Sequence, residues 1–185
     1  MIYPIVAYGD PVLKKVAQPI VKDSELDVKQ LIEDMFETMY SSNGVGIAAP
    51  QIGLSVRLFV MDPENMDEED ERLKGSKRAF INPKMIEETG DEWPFEEGCL
   101  SIPGIRGDVL RPQTITINYF DENWIEKTEK FSGLTARVIQ HEYDHLEGKL
   151  FIDYLSAMKR RLIKNKLNDI KKGIVKVDYR MKFSK

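Results

Sequence analysis

The sequence predicts an α+β fold in which antiparallel sheets surround a central helix, with a further helix near the C-terminus. Three observations support this prediction: β-branched runs with alternating polarity, helical periodicities in separate segments, and one helical stretch apolar enough to be buried. The chain has 185 residues, of which 42% are hydrophobic and 31% charged. This composition is typical of an ordinary soluble globule, and we predict one domain spanning residues 1–185.

The first half of the chain predicts a helix, a glycine-rich segment and a strand, in that order. Apolar residues recur at helical spacing over residues 24–43, and Asp23 or Ser24 is a suitable N-cap. The segment NGVGIAAPQIG follows at residues 43–53, and the β-rich run VRLFVMD follows it.

The second half predicts antiparallel strands followed by two helices. Strand patterns occur in AFINPKMIEE, VLRPQTITINYFD and WIEKTEKF. A central helix is then predicted to begin at Ser132 or Gly133 and to stop at Gly148. The last helix lies in LSAMKRRLIKNKLNDIKKG and is basic on its outer face.

Two charged regions stand out. Residues 61–78 are rich in acidic and poor in apolar side chains, which predicts a solvated surface insertion between two strands. Residues 156–185 hold eleven Lys or Arg and two Asp, a net charge of +9, although the whole chain carries -4. We predict a basic C-terminal helix and tail there.

Cysteine content and hydropathy indicate the compartment. A single cysteine rules out an internal disulfide framework and favours a reducing environment. The N-terminal residues lack a secretory signal, and no apolar run approaches the roughly 20 residues that span a bilayer. We expect a cytoplasmic protein that has neither a membrane nor DNA as a partner.

The two histidines of the chain, His141 and His145, lie four positions apart in the predicted central helix. Residues i and i+4 share a helix face, so both imidazoles can bind one metal ion. Glu142 is displaced from that face but can reach a water on the metal. This H-E-x-x-H arrangement predicts a hydrolytic metal centre with Glu142 handling protons.

Such a centre needs a third protein ligand. No histidine follows His145, and a downstream aspartate such as Asp153 is weakly favoured, so the ligand is expected upstream. The lone Cys99 is the obvious donor, and a metal would bind it as thiolate. A His₂Cys set with one open position suits Zn²⁺ or Fe²⁺, and the ligands alone do not choose between them.

The glycine-rich segment formally matches a dinucleotide-binding fingerprint, but it follows a helix rather than a strand, and Pro50 obstructs the helix that should come next. Its glycines are better suited to bringing an extended backbone close to a ligand. Gln51 offers an amide N–H that can stabilise an oxyanion.

Taken together, three motifs resemble those of the peptide deformylases: GVGIAAPQ at residues 44–51, EGCLS at 97–101 and HEYDH at 141–145. They occur in the family's order, and the resemblance spans roughly residues 1–155. It implies an α+β fold of the deformylase type. It also implies removal of the formyl group from the N-terminal formylmethionine of nascent polypeptides, with release of formate.

The resemblance also implies a cofactor and roles for site residues. It implies one divalent ion per chain, Fe²⁺ natively, with Zn²⁺, Ni²⁺ or Co²⁺ as substitutes. Cys99, His141 and His145 would be its ligands, and Glu142 the general acid/base. Gln51 and the peptide N–H of Leu100 would hold the formyl oxygen.

Further residues are predicted to bind substrate or to support the site. The substrate-binding candidates are Val45, Gly46, Gly98, Leu134 and Val138, among which Val45, Leu134 and Val138 would wall the methionine pocket. Around the metal ligands, we expect Asp144 to pair with Arg111, and Glu97 to order the Cys99 turn or a histidine ligand. The basic C-terminal helix suggests docking on ribosomal RNA, where formylated chains emerge.

Two other functions compete with deformylation. A zincin-type metalloprotease would use the same helix, although the missing downstream ligand argues against it. A non-catalytic metal-binding or ribosome-binding module would show no turnover.

Overall fold

The fold is described by a computed structural model that covers residues 1–67 and 69–184. Glu68, in the predicted acidic insertion, and Lys185, at the end of the predicted tail, lie outside the described residues. The regular elements, in chain order, are β1 (Ile5–Val6), α1 (Val28–Ser41), β2 (Gly46–Ala48), β3 (Leu58–Met61), β4 (Arg78–Cys99), β5 (Ile102–Phe120), β6 (Glu126–Ser132), α2 (Gly133–Leu146), α3 (Ala157–Lys171) and β7 (Met181–Lys182).

The strands form two sheets. Five strands pair in the order β2-β3-β4-β5-β6, and every neighbouring pair is antiparallel. A small second sheet joins β1 to β7 in parallel. Strands β4 and β5 form a long hairpin in which Cys99 pairs with Ile102, so the turn between them contains only Leu100 and Ser101. This architecture confirms the predicted α+β class.

Helix α1 begins later than the sequence predicted. Its N-cap is Asp27, whose carboxylate accepts a hydrogen bond from the Gln30 N–H at 3.0 Å, so the prediction of Asp23 or Ser24 was wrong. An Asp at position 27 satisfies one of the free N–H groups of the first turn, and the residues before it remain outside the helix. The predicted apolar face is buried, with Leu31, Met35 and Met39 at most 4% exposed.

Helix α2 lies inside the molecule, as predicted. Its apolar side chains Val138, Ile139 and Leu146 pack into a buried cluster formed mainly by β3, β4 and β5. The chain leaves the helix through Gly148, which has φ +69°, and a Cβ there would lie 2.6 Å from the carbonyl oxygen of Lys14. Glycine is therefore required at this position because both the backbone angle and the space exclude a side chain.

The two charged regions differ in how they fold. The acidic insertion lies between β3 and β4, and its described residues include two short 3₁₀ turns, one of which buries Leu73. Helix α3 packs Ile163, Leu167 and Ile170 inward and leaves its basic side chains exposed. Within the described part of the chain, no helix is both long enough and apolar enough to span a bilayer.

Candidate active site

The central feature of the site is the meeting of Cys99, His141 and His145. The ligating atoms of the three side chains all lie within 4.8 Å of one another, and Cys99 Sγ is 3.4 Å from His145 Nε2. Helix α2 supplies both imidazoles from adjacent turns, and the end of β4 supplies the sulfur.

The donor set fits a tetrahedral transition-metal ion. Bond lengths of about 2.3 Å to sulfur and 2.0–2.1 Å to nitrogen place these donors roughly 3.5 Å apart in a tetrahedral site. The observed 3.4 Å between Cys99 Sγ and His145 Nε2 matches this spacing. Two imidazoles and one thiolate leave a fourth position for water or substrate, which is the arrangement of a catalytic site.

The Glu142 carboxyl is buried beside this cluster, with only 4% of the residue exposed. Its Oε2 atom has no hydrogen-bond partner among the described residues. Burial raises the pKa of Glu142 to about 7. A carboxyl with a pKa near neutrality can both accept and return a proton, which is the property of a general acid/base.

A cavity of about 600 Å³ opens over these groups. Most of the predicted site residues line it, namely Val45, Gly46, Gln51, Glu97, Gly98, Cys99, Leu100, Val138, His141 and Glu142. The volume is within the range usual for small-molecule and short-peptide sites.

One predicted pocket residue lies elsewhere. Leu134 lines a smaller neighbouring depression of about 400 Å³ with Trp93 and Gly133, and this depression shares Phe95 with the large cavity. Leu134 belongs to the first turn of α2, one full turn before Val138. The structure therefore does not bring Leu134 to the wall formed by Val45 and Val138.

Gln51 is fixed in one orientation. Its Oε1 accepts a hydrogen bond from the Ala48 N–H at 2.8 Å, which turns Nε2 towards Cys99 Sγ at 3.4 Å and Ser101 Oγ at 3.5 Å. Leu100 lies in the two-residue turn, outside the strand ladder, so the ladder does not use its peptide N–H. The Gln51 amide nitrogen thus lies beside the sulfur, and the Leu100 N–H belongs to the residue that follows Cys99.

A buried ionic network surrounds the histidines. Glu97 Oε2 lies 2.8 Å from His141 Nδ1, and both oxygens of Glu97 accept hydrogen bonds from Arg111, at 2.7 and 3.1 Å. Arg111 also donates to Asp144 Oδ2 at 2.8 Å. The expected pairing of Asp144 with Arg111, and the expected contact of Glu97 with a histidine, are both present.

Sequence reasoning missed a further member of this network, Arg137. This buried side chain donates to Glu97 Oε1 at 3.1 Å, to the Val109 carbonyl at 2.9 Å and to the Trp93 carbonyl at 2.6 Å. A signal was available, because Arg137 precedes His141 by four residues and so shares its helix face.

The network sets the charge of the ionisable groups. Burial on its own would raise the pKa of Glu97, but hydrogen bonds from His141 and Arg111 outweigh it and hold the pKa well below its usual value. Burial lowers the pKa of His145 well below its ordinary value. Its imidazole is therefore neutral, which is the form that binds a metal.

Comparison with known proteins decides the family. The sequence profile described as Polypeptide deformylase matches residues 2–161. The chain belongs to the peptide deformylase family. A peptide deformylase of Cytophaga hutchinsonii is 61% identical over 183 residues, which cover 99% of this chain and 98% of the relative. That of Christiangramia forsetii is 57% identical over 190 residues, covering 99% and 96%.

Solved deformylases share the fold. The crystal structure of the Thermotoga maritima peptide deformylase aligns with a TM-score of 0.75 at 42% identity, covering 84% of this chain and 99% of that one. That of Legionella pneumophila aligns with a TM-score of 0.80 at 38% identity, covering 94% and 98%. As a peptide deformylase, the protein removes the formyl group from nascent peptides. The predicted function is confirmed, and the zincin-type alternative is not favoured.

Proposed function

We propose that Cys99, His141 and His145 hold one divalent ion at which Glu142 acts as the general acid/base of deformylation. One observation carries this assignment: the three donors converge beside a buried carboxylate oxygen that has no protein partner among the described residues. Fe²⁺ is the ion we expect from the family resemblance, with Zn²⁺, Ni²⁺ or Co²⁺ as substitutes, and the mixed sulfur and nitrogen donor set suits all four.

A divalent ion in such a site supplies Lewis acidity, which polarises a carbonyl and acidifies water. The protein's part in the chemistry is proton transfer. Glu142 accepts the proton lost by the attacking water and delivers it to the amine nitrogen as the C–N bond of the formamide breaks, yielding formate and a free N-terminus. Its pKa of about 7 suits both directions of transfer.

Two N–H groups are proposed to hold the formyl oxygen as it gains negative charge. Gln51 Nε2 lies 3.4 Å from Cys99 Sγ, and the contacts of Gln51 with Ala48 and Ser101 keep its amide in place, while Leu100 directly follows Cys99 in the chain. Loss of one such donor in other hydrolases costs about 3–4 kcal/mol of transition-state stabilisation.

The substrate is proposed to lie along the cavity that contains these groups. Val45 and Val138 offer an apolar wall for the methionine side chain. Gly46 and Gly98, which carry no side chains, let the peptide backbone approach closely in extended form. Leu134 is not part of this proposal because it lines the neighbouring depression.

Glu97, Arg111 and Asp144 are proposed to hold the metal ligands in orientation rather than to touch substrate. The hydrogen bond between Glu97 and His141 Nδ1 leaves Nε2 of that ring as its metal-binding atom. Arg111 ties Glu97 to Asp144 and so fixes the end of β4 to helix α2.

The assignment is tested by a formate-release assay on a formyl-Met peptide. The wild-type protein should release formate, and Glu142→Ala should lose most of this activity while keeping its metal. Unmodified casein should not be cleaved at a comparable rate. Equal activity of Glu142→Ala and wild type would contradict the role of Glu142, and casein cleavage would favour a zincin-type protease.

We further propose that the protein works in the cytoplasm and that the exposed basic face of α3 docks on the ribosome. Support comes from charge, since Arg160 and Lys164 are exposed one turn apart on a strongly basic helix. The double substitution Arg160→Glu with Lys164→Glu should abolish ribosome co-sedimentation, and Lys29→Glu on α1 should not. Unchanged co-sedimentation of the double variant would contradict docking through α3.

A further inference from the structure

The turn that follows Cys99 is anchored from outside at both of its carbonyl groups. The Tyr179 hydroxyl donates a hydrogen bond to the Leu100 carbonyl oxygen at 2.8 Å. The Tyr8 peptide N–H donates to the Ser101 carbonyl oxygen, also at 2.8 Å. These are the two residues of the β4–β5 turn, so neither of its carbonyls depends on the hairpin for a partner.

Both hydrogen-bond donors, Tyr8 and Tyr179, lie next to the small parallel sheet formed by β1 and β7. Tyr8 follows β1 and Tyr179 precedes β7, and the two strands are joined by hydrogen bonds from the Ile5 N–H to the Arg180 carbonyl at 2.8 Å and from the Ala7 N–H to the Lys182 carbonyl at 2.9 Å. The C-terminal tail is thereby fixed against the N-terminal strand, directly behind the turn. The pairing of β1 with β7 therefore fixes the backbone next to Tyr179 and helps to place the Tyr179 hydroxyl.

The tail also borders the site. Residues 176–179 line the cavity that contains Cys99 and Glu142. Tyr179 and Leu100 pack against the same apolar cluster beneath α1. Burial raises the pKa of Tyr179 to about 12, so its hydroxyl stays protonated and remains a donor at neutral pH.

We propose that Tyr179 is a positioning residue for deformylation, which holds the Leu100 peptide so that the Leu100 N–H meets the developing oxyanion. The proposal rests on the proposed role of that N–H. A carbonyl fixed at Leu100 limits rotation of the turn, and a donor that is already oriented needs no reorganisation when charge develops. Tyr179 lies beyond residue 161, where the match to the family profile ends.

The test is steady-state kinetics of formate release by Tyr179→Phe, which removes the hydroxyl and keeps the ring. We expect kcat per bound metal to fall roughly three- to tenfold, the range for loss of one hydrogen bond. KM, metal content and melting temperature should stay near the wild-type values. Tyr40→Phe is the matched control, because its hydroxyl contacts Asp62 and lies outside the cavity lining, and it should retain wild-type kcat.

The proposal would be overturned by an unchanged kcat in Tyr179→Phe, by a loss expressed wholly in KM, or by an equal loss in Tyr40→Phe. A lower metal content without a lower kcat per bound metal would overturn it as well. Failure of the wild-type protein to release formate would instead contradict the proposed function, so the two claims fail separately.

Discussion

The carboxylate of Glu97 and the imidazole of His141 are joined by a 2.8 Å contact between Oε2 and Nδ1. Since Glu97 accepts from two arginines and its pKa is held low, the proton of this contact resides on Nδ1, which leaves Nε2 as the nitrogen that would bind a metal. The ring is therefore oriented with its basic nitrogen available to a metal. A carboxylate in this position also raises the basicity of the ligand.

Replacing Glu97 by Gln should weaken metal binding by about 10- to 100-fold, because the amide orients His141 less firmly and removes the charge of Glu97 from its pairs with Arg111 and Arg137. The measurement is the dissociation constant for Zn²⁺ or Fe²⁺ by competition with a chelator. Glu96→Gln is the control, since the Glu96 side chain is 62% exposed and should leave the affinity unchanged. Equal affinities of wild type and Glu97→Gln would contradict the assigned role.

The buried Arg111 should matter for stability far more than an exposed arginine of the same hairpin. Arg111→Met leaves Glu97 and Asp144 buried without this partner and should cost about 3–5 kcal/mol in the free energy of unfolding. Arg106 pairs with Glu96 at the surface, and Arg106→Met should cost at most about 1 kcal/mol. Urea denaturation at matched metal content measures both, and similar losses would argue against a network that stabilises the site.

Gly46 makes room for Glu142. A Cβ at position 46 would lie 2.6 Å from Glu142 Oε1 and 2.9 Å from its Cδ, which is closer than Cβ atoms approach other heavy atoms, so the carboxyl would have to move. Gly46→Ala should therefore displace Glu142 and lower kcat about 100-fold, the scale for a misplaced catalytic group. Formate-release kinetics provide the measurement.

The double variant Gly46→Ala with Glu142→Ala serves as the control for this interpretation. If Gly46→Ala acts only by displacing the carboxyl, adding it to Glu142→Ala should cause little further loss. Losses that multiply would indicate that Gly46 acts by another route, such as backbone pairing with substrate.

The pH profile should report Glu142. A general base must be ionised to accept a proton, so kcat/KM should rise with pH until the pKa of Glu142 is passed and then level off. Burial raises this pKa to about 7, and a bound cation favours the ionised form, so the acid limb should have its midpoint at or below pH 7. A midpoint above pH 8, or an unchanged limb in Glu142→Gln, would contradict the assignment.

The sequence predicted the chemically reactive residues of the site better than it predicted where α1 begins and which residues line the cavity. The pair His141 and His145 follows from helical spacing alone, and Cys99 was favoured because no histidine follows His145 and the chain has a single thiol. The helix start at Asp27 was missed since several acids and serines nearby compete as caps, and only the packing of α1 selects one. Local spacing also placed Leu134 with Val138, whereas the position of the helix relative to the sheet decides which turn reaches the cavity.

The other features that the sequence did not predict depend on contacts between residues far apart in the chain. Tyr179 reaches Leu100 across 79 positions of sequence. Arg137 contacts Trp93 across 44 positions of sequence. No periodicity encodes such pairs, because they depend on how the tail and the hairpin fold back onto the core.

The measurement that tests the central claim most directly is metal content together with formate release for Cys99→Ala after anaerobic purification. Anaerobic handling is needed because Fe²⁺ beside a thiolate is prone to oxidation. The wild-type protein should carry one divalent ion per chain and release formate, and Cys99→Ala should lose most of both. A Cys99→Ala protein that keeps its metal and full activity would contradict the account.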